Sequence, residues 1–200
     1  MLPLALGLQD QLAQGIRVAD IGCGTGHAIV LMAGAYPAST FVGYDLAEDA
    51  IARARADATE AGLANARFEM CDVAGLTVTE PFDAVCSFDT IHDQVDPAAV
   101  LRAVFSSLVP GGTYLMVEPR VSSNLEDNVG NPIAPLVYSV STMHCLTVSL
   151  AHGGAGLGTA WGEQTARRML AEAGFGDVEV SPAPGESLDA IFVTRRPARS

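Results

Sequence analysis

The chain predicts an α/β fold, a mostly parallel sheet with helices on both faces, and three observations carry that expectation. Apolar runs of strand length alternate with segments of helical periodicity. The first run leads into the glycine-rich turn Asp20-Ile21-Gly22-Cys23-Gly24-Thr25-Gly26, and later runs end on single acids, Asp45, Asp72 and Asp89. At 200 residues and 49% hydrophobic content, the chain is long enough for one domain with a sizeable core, so residues 1–200 are expected to form a single unit.

Taken in order, Val18-Ala19-Asp20-Ile21 reads as a buried strand, and glycines at 22, 24 and 26 let the backbone turn sharply and admit a ligand where a Cβ would clash. Residues 27–36 form a helix stopped by Pro37, and Phe41-Val42-Gly43-Tyr44 is the second strand, ending on Asp45. Residues 48–64 read as a longer helix, with Ile51, Ala54, Ala58 and Leu63 at helical spacing and an acidic start that suits the helix dipole. Strands follow at 66–71, ending at Asp72, and at 82–88, ending at Asp89. Asp96-Pro97 opens a helix with Val100, Leu101, Val104, Phe105 and Leu108 on one face. Pro110-Gly111-Gly112 ends it, and 113–117 is the fifth strand. A helix at 160–173, terminated by Gly174, precedes closing strands at 178–180 and 190–194. No internal repeat or low-complexity linker is present.

The turn and its acids point to an adenosine-bearing cofactor. Asp45 lies 19 positions after Gly26, close to the offset of about 20 residues at which an acid accepts the hydroxyls of a ribose. A dinucleotide fingerprint wants glycine where this chain has His27 (counting from Gly22) or Ile29 (counting from Gly24), which disfavours a nicotinamide-dependent dehydrogenase. Asp20 immediately before the turn would repel a pyrophosphate. It suits S-adenosylmethionine, whose ammonium and sulfonium are both cationic.

Charge and cysteine usage narrow the partners. A net charge of −12, from 11 basic against 23 acidic side chains, disfavours nucleic acid and anionic membrane surfaces. Cys23, Cys71, Cys86 and Cys145 are widely spaced with no C-x-x-C pair, which reads as reduced thiols. The apolar opening Met1-Leu2-Pro3-Leu4-Ala5-Leu6-Gly7 lacks the basic region and cleavage pattern of a secretory signal, so a cytoplasmic location is expected. Arginine is the only basic side chain besides histidine, and alanine and glycine are abundant, a composition associated with GC-rich bacteria.

Over residues 15–119 and 160–194 the chain resembles a class I S-adenosylmethionine-dependent methyltransferase. The resemblance implies a Rossmann-like, seven-stranded, mostly parallel sheet whose last strand is antiparallel. It implies that the Asp20–Gly26 turn holds the methionine part, that Asp45 takes the ribose hydroxyls and that Asp72 accepts from the adenine amino group. Leu46, Cys71, Val73 and Asp89 are grouped with them as candidate cofactor contacts. A finer resemblance rests on Phe88-Asp89-Thr90-Ile91-His92-Asp93-Gln94, Ser122-Ser123-Asn124-Leu125-Glu126-Asp127-Asn128, Ser141-Thr142-Met143-His144-Cys145 and the stretch from Gly153 to Glu163. These segments are similar to a subgroup of actinobacterial methyltransferases that carry a winged-helix dimerisation domain ahead of the catalytic one. This chain departs from that subgroup by starting almost at the first strand, and the resemblance implies that a longer form would pair as a homodimer.

Residues 120–158 form an insert after the fifth strand, and its apolar stretch 132–150 reads as one helix lying as a lid over the carboxyl ends of the strands, with 153–158 as a hinge. The stretch has the length of a membrane span, but Pro132, Pro135, Ser139, Ser141, Thr142 and His144 suit lipid poorly. Methyl transfer is a direct displacement in which positioning and exclusion of water supply most of the rate. A hydroxyl or amine acceptor also needs a base, and His92 just past the fourth strand, with Asp93 beside it, is the candidate catalytic pair. Glu118, Asn124, Tyr138, His144 and Trp161 are candidate substrate contacts. His92, Asp93, Glu118 and His144 include no pair with His-x-x-x-His spacing, so no metal is expected. The reading is an O- or N-methyltransferase of a small, largely apolar acceptor. A cofactor-binding regulator acting through a winged helix is the alternative.

Overall fold

A computed structural model describes residues 7–185 and 187–198. The apolar opening at 1–6 lies outside the described residues. Seven strands form one sheet: β1 (Arg17–Ile21), β2 (Thr40–Asp45), β3 (Ala66–Met70), β4 (Phe82–Phe88), β5 (Leu108–Pro119), β6 (Glu179–Pro182) and β7 (Asp189–Arg195), in the order β3-β2-β1-β4-β5-β7-β6. Neighbours from β3 to β5 are parallel, while β7 runs antiparallel to both β5 and β6. This is the mostly parallel, seven-stranded arrangement expected from the sequence.

Burial on both faces explains the strand composition. In β1, Val18 packs into the cluster formed with helices α1 (Leu8–Gln14), α2 (His27–Ala35) and α3 (Glu48–Glu60), while Ala19 and Ile21 join the opposite cluster with α4 (Pro97–Ser107) and α7 (Gly162–Glu172). Alternation therefore turns Asp20 towards the α1–α2 face. The parallel register pairs Ile21 with Tyr44 and Asp45 with Met70, so the residues that follow β1, β2 and β3 emerge side by side along one edge.

Several elements depart from the sequence reading. Helix α3 stops at Glu60 rather than reaching 64, because Gly62 adopts φ +67 and the Gly62 and Leu63 amides donate back to the Thr59 and Ala58 carbonyls, a helix-ending pair of bonds. Leu108 leaves α4 and starts β5, opposite Phe82, and residues 109–112 bulge out before Thr113 pairs with Ala84. Helix α7 is shorter than expected, and helix α1 went unread. The insert is helical from Ala134 to Ala151, but not uniformly so: α5 (Ala134–Val140) and α6 (Leu146–Ala151) flank the π-helical turn Ser141–Cys145. Its buried residues are Ala134, Val137, Ser141, Cys145 and Ser149. The extra residue of the π turn keeps the last three on one packed face at a spacing of four. Leu136, Met143 and Leu150 remain exposed. The helix has the length and mean hydropathy, 1.2, of a membrane span, and its packed face lies on protein.

Candidate cofactor and active site

Three acids stand at the tips of β1, β2 and β3. Asp20 is 1% exposed, and its Oδ1 has no hydrogen-bond partner. Burial first, and the nearby charge of Asp45 second, push its carboxyl up to about 8. Asp45 is half-buried and accepts from the Gly24 amide at 2.8 Å through Oδ2 and from the Ala47 amide at 2.9 Å through Oδ1. One bond per oxygen leaves acceptor capacity on each. Asp72 is exposed and accepts from the Ala74 amide at 3.0 Å, capping the 310 turn Val73–Gly75.

The glycine turn is fixed from β2, with the Gly22 and Cys23 amides both donating to the Tyr44 carbonyl at 2.8 and 2.9 Å. Its glycines serve different ends. A Cβ on Gly22 would fall 2.2 Å from the Thr90 side chain, and one on Gly26 would fall 2.5 Å from Phe68. Both are packing constraints within the protein. Gly24, at φ +52, has nothing within 4 Å and is the member of the motif that faces open space. Burial and the charges of Asp20 and Asp45 push the Cys23 thiol up to about 12, so it stays protonated at the turn.

A cavity of about 720 Å³ opens from this turn onto the α1–α2 face. Asp20 and residues 22–25 form its polar end; Leu31 and Met32 of α2, Phe88 and Leu115 form apolar walls. Of the candidate cofactor residues, Asp20, Gly22 and Gly24 line it, and Asp45 joins it through the Gly24 amide. Leu46, Cys71, Asp72 and Val73 follow β2 and β3 along the same edge, tied by the Cys71 amide on the Asp45 carbonyl at 2.9 Å. Asp89 follows β4 at φ +55, an uncommon backbone for a non-glycine residue. The apolar walls went unread, although Leu31, one turn after His27, is an exposed leucine on the helix that follows the glycine turn.

Beside the cavity, Glu118 gathers a second cluster. Its Oε1 accepts from the Thr90 and Ile91 amides at 3.3 and 2.8 Å, and its Oε2 from His92 Nδ1 at 2.5 Å and Trp161 Nε1 at 3.2 Å. Four donors fill the carboxylate. Thr90 closes the link to the cofactor turn through its hydroxyl, 3.3 Å from the Gly22 carbonyl. Burial alone would push the His92 imidazole down. The Glu118 hydrogen bond and charge, with Asp93 and Asp89 behind them, reverse that and hold it up at about 10.

Several of the candidate residues are engaged within the protein itself. His92 is 1% exposed, its Nδ1 is engaged by Glu118, and the acids around it favour the protonated imidazole over a free base. Glu118 and Trp161 were expected at a substrate; both are buried, and their polar groups are spent on each other and on His92. Asn124 is exposed and donates to Asp127, Tyr138 receives a bond from Asn128, and His144 is exposed on the outer side of the insert. The insert does not lie as a lid on the cavity: α6 packs on the turn that follows β4, where the Ser149 hydroxyl donates to the Gln94 carbonyl at 3.1 Å.

A buried carboxylate with an unpaired oxygen, at the mouth of a cavity and one turn from an open glycine, is a poor end state for an empty fold. It is a good seat for a cation. The strand-tip acids therefore fit a cationic ligand such as S-adenosylmethionine.

Comparison with known proteins agrees. A family described as a methyltransferase domain matches residues 12–174. The ubiquinone biosynthesis O-methyltransferase of Paracidovorax citrulli (strain AAC00-1) is 38% identical over 114 residues, covering 55% of this chain and 47% of that protein. The trans-aconitate 2-methyltransferase of Streptomyces coelicolor is 32% identical over 113 residues, covering 56% of this chain and 37% of that protein. The chain thus matches less than half the length of either relative. Among solved structures, the S-adenosylmethionine-dependent methyltransferase SibL in its apo form superposes with a TM-score of 0.67 at 23% identity, over 97% of this chain and 54% of that one. Fold, strand-tip acids and family match converge: the chain belongs to the methyltransferase domain family, with the class I fold whose cofactor is S-adenosylmethionine.

Proposed function

We propose that this chain transfers a methyl group from S-adenosylmethionine to a hydroxyl or amine of a small, largely apolar molecule. The observation that carries the reading is Asp20, whose unpaired buried oxygen faces a cavity with apolar walls at the carboxyl ends of β1 and β4. When bound, the cofactor supplies an electrophilic methyl on a sulfonium. The chain supplies position and dryness: Asp20 balances the cofactor's charge, Gly22, Gly24 and Gly26 shape the turn, and Asp45 and Asp72 hold ribose and adenine. Leu46, Cys71, Val73 and Asp89 complete the pocket. Phe88 and Leu115 exclude water from the methyl's path. His92 and Asp93 act as positioning residues, through the Glu118 cluster that supports Thr90 and hence Gly22.

The acidic surface favours a small molecule over nucleic acid or an anionic membrane. The named relatives are, by their names, an O-methyltransferase of ubiquinone biosynthesis and a trans-aconitate 2-methyltransferase, both concerned with small molecules. A bacterial, cytoplasmic protein of the actinobacterial subgroup, pairing through a winged-helix domain in a longer form, belongs to the same proposal. Incubation with S-adenosylmethionine carrying a labelled methyl and a library of small phenols, alcohols and amines tests it. Label in a small-molecule product supports the reading. Tight cofactor binding with no labelled product from any pool contradicts it.

A further inference from the structure

Beyond the Glu118 cluster, three ligating side chains from two distant stretches converge where the insert meets the turn after β4. His92 and Asp93 belong to the 310 turn Ile91–Asp93 after β4, and Cys145 closes the π-helical turn of the insert. One donor atom from each of the three lies within 4.8 Å of those of the other two. We propose that His92, Asp93 and Cys145 bind a divalent ion of zinc character, which pins the insert to the turn after β4. The inference is independent of the cofactor reading, and it replaces the metal-free expectation from sequence spacing, which could not bring Cys145 to His92.

Four features support the site. The Nδ1 of His92 is committed to Glu118, which leaves Nε2 on the side of Asp93, and a carboxylate behind the ring in this way is the usual outer partner of a metal-bound imidazole. Nε2 and Asp93 Oδ1 are 3.3 Å apart. Two ligands at about 2.0–2.1 Å from a tetrahedral zinc sit about 3.3 Å from each other. That Oδ1 is buried and accepts no hydrogen bond; its one partner is the charge of His92 at Nε2, which an ion would replace. Cys145 is 5% exposed, and its Sγ accepts from the Thr159 hydroxyl at 2.8 Å, a donor that supports a thiolate.

Charge closes as well. A thiolate and a carboxylate neutralise a 2+ ion, while the charge of Glu118 is already met by its four donors. On binding, the ion takes the place of the Nε2 proton and the thiol proton, and both leave to solvent. The neighbouring trio of Asp89, His92 and Glu118 does not serve. Its Nδ1 to Oε2 separation of 2.5 Å is a hydrogen bond, too short for two atoms sharing a cation.

The test uses the full chain, stripped with a chelator and titrated with cobalt(II) as a spectroscopic stand-in for zinc. One cobalt per chain is expected, with a thiolate-to-cobalt charge-transfer band in the near ultraviolet and the intense visible bands of a tetrahedral site. The charge-transfer band disappears in Cys145→Ser and persists in Cys71→Ser. Asp93→Asn, whose folding does not depend on the thiol, keeps the band but weakens cobalt binding at least tenfold. Zinc raises the melting temperature of the parent chain and not that of Cys145→Ser. Absence of the charge-transfer band, its survival in Cys145→Ser, unchanged affinity in Asp93→Asn, or a melting temperature indifferent to zinc would each overturn the proposal.

Discussion

Asp20 is held at the end of β1 against its own chemistry. Its carboxyl titrates near 8 in the fold and near the ordinary 3.8 in the unfolded chain, so between those values the folded state keeps a proton that the unfolded state has lost. Stability from this group is therefore highest in acid, falls as pH rises from about 4, and is fully lost above about 8. At alkaline pH the ionised carboxylate destabilises the empty fold by on the order of 5 kcal/mol. Asp20→Asn removes that penalty, and the variant is expected to melt about 10 °C higher than the parent at pH 9, with little difference at pH 4, in ligand-free thermal scans. A cation on Asp20 pulls its proton off. Calorimetry of cofactor binding at pH 7, in buffers of differing ionisation enthalpy, should show close to one proton released, and affinity should rise about tenfold per pH unit up to about 8. The glycines separate packing from binding. Gly22→Ala drives a Cβ into Thr90, whereas Gly24→Ala meets only the strain of its positive φ, about 1–2 kcal/mol. Both should weaken cofactor binding, with the larger fall in melting temperature for Gly22→Ala.

Glu118 works at the scale of elements. It sits near the end of β5, and its four donors come from the turn after β4 and from Trp161, the residue before α7, so a single carboxylate fastens three pieces of chain. In Glu118→Gln an NH2 must face at least one of these donors. The expected loss is about 2–4 kcal/mol, measured by denaturant unfolding, with cofactor affinity falling as Thr90 loosens behind Gly22. The insert is the other element with a distinct behaviour. Two short helices around a π turn, with Leu136, Met143 and Leu150 in water, open more easily than β1, β4 and β5, and hydrogen exchange should show 134–151 losing protection first. The apolar run at 132–150 announced a helix. Its π turn was not legible, because a single extra residue follows from what the packed face must reach at Ser141, Cys145 and Ser149. Gly62 was legible as a helix end, and apolar periodicity carried the reading of α3 past it.

At the scale of the whole molecule, the fold was readable because β1, β2, β4 and β5 are largely buried and helices of ordinary length follow β1, β2 and β4, so hydrophobic pattern and topology agree. The adjacency of the glycine turn and Asp45 was readable for a geometric reason: parallel register converts a sequence offset between Gly26 and Asp45 into proximity. The region around His92 was only half readable. Its position after β4 followed from the strand, but its neighbours Glu118, Cys145 and Trp161 come from chain 26 or more residues away, and no spacing rule joins them. The net charge of −12 is a property of the surface that does not set the fold. In the proposed function, the cationic methyl donor is seated between Asp20 and Asp45. Calorimetric titration of S-adenosylmethionine into the parent chain and into Asp20→Asn, both at pH 8, tests it most directly. Saturable one-to-one binding to the parent, and affinity at least a hundredfold weaker in the variant, is the predicted result; equal affinity in the two, or no binding to the folded parent, would contradict it.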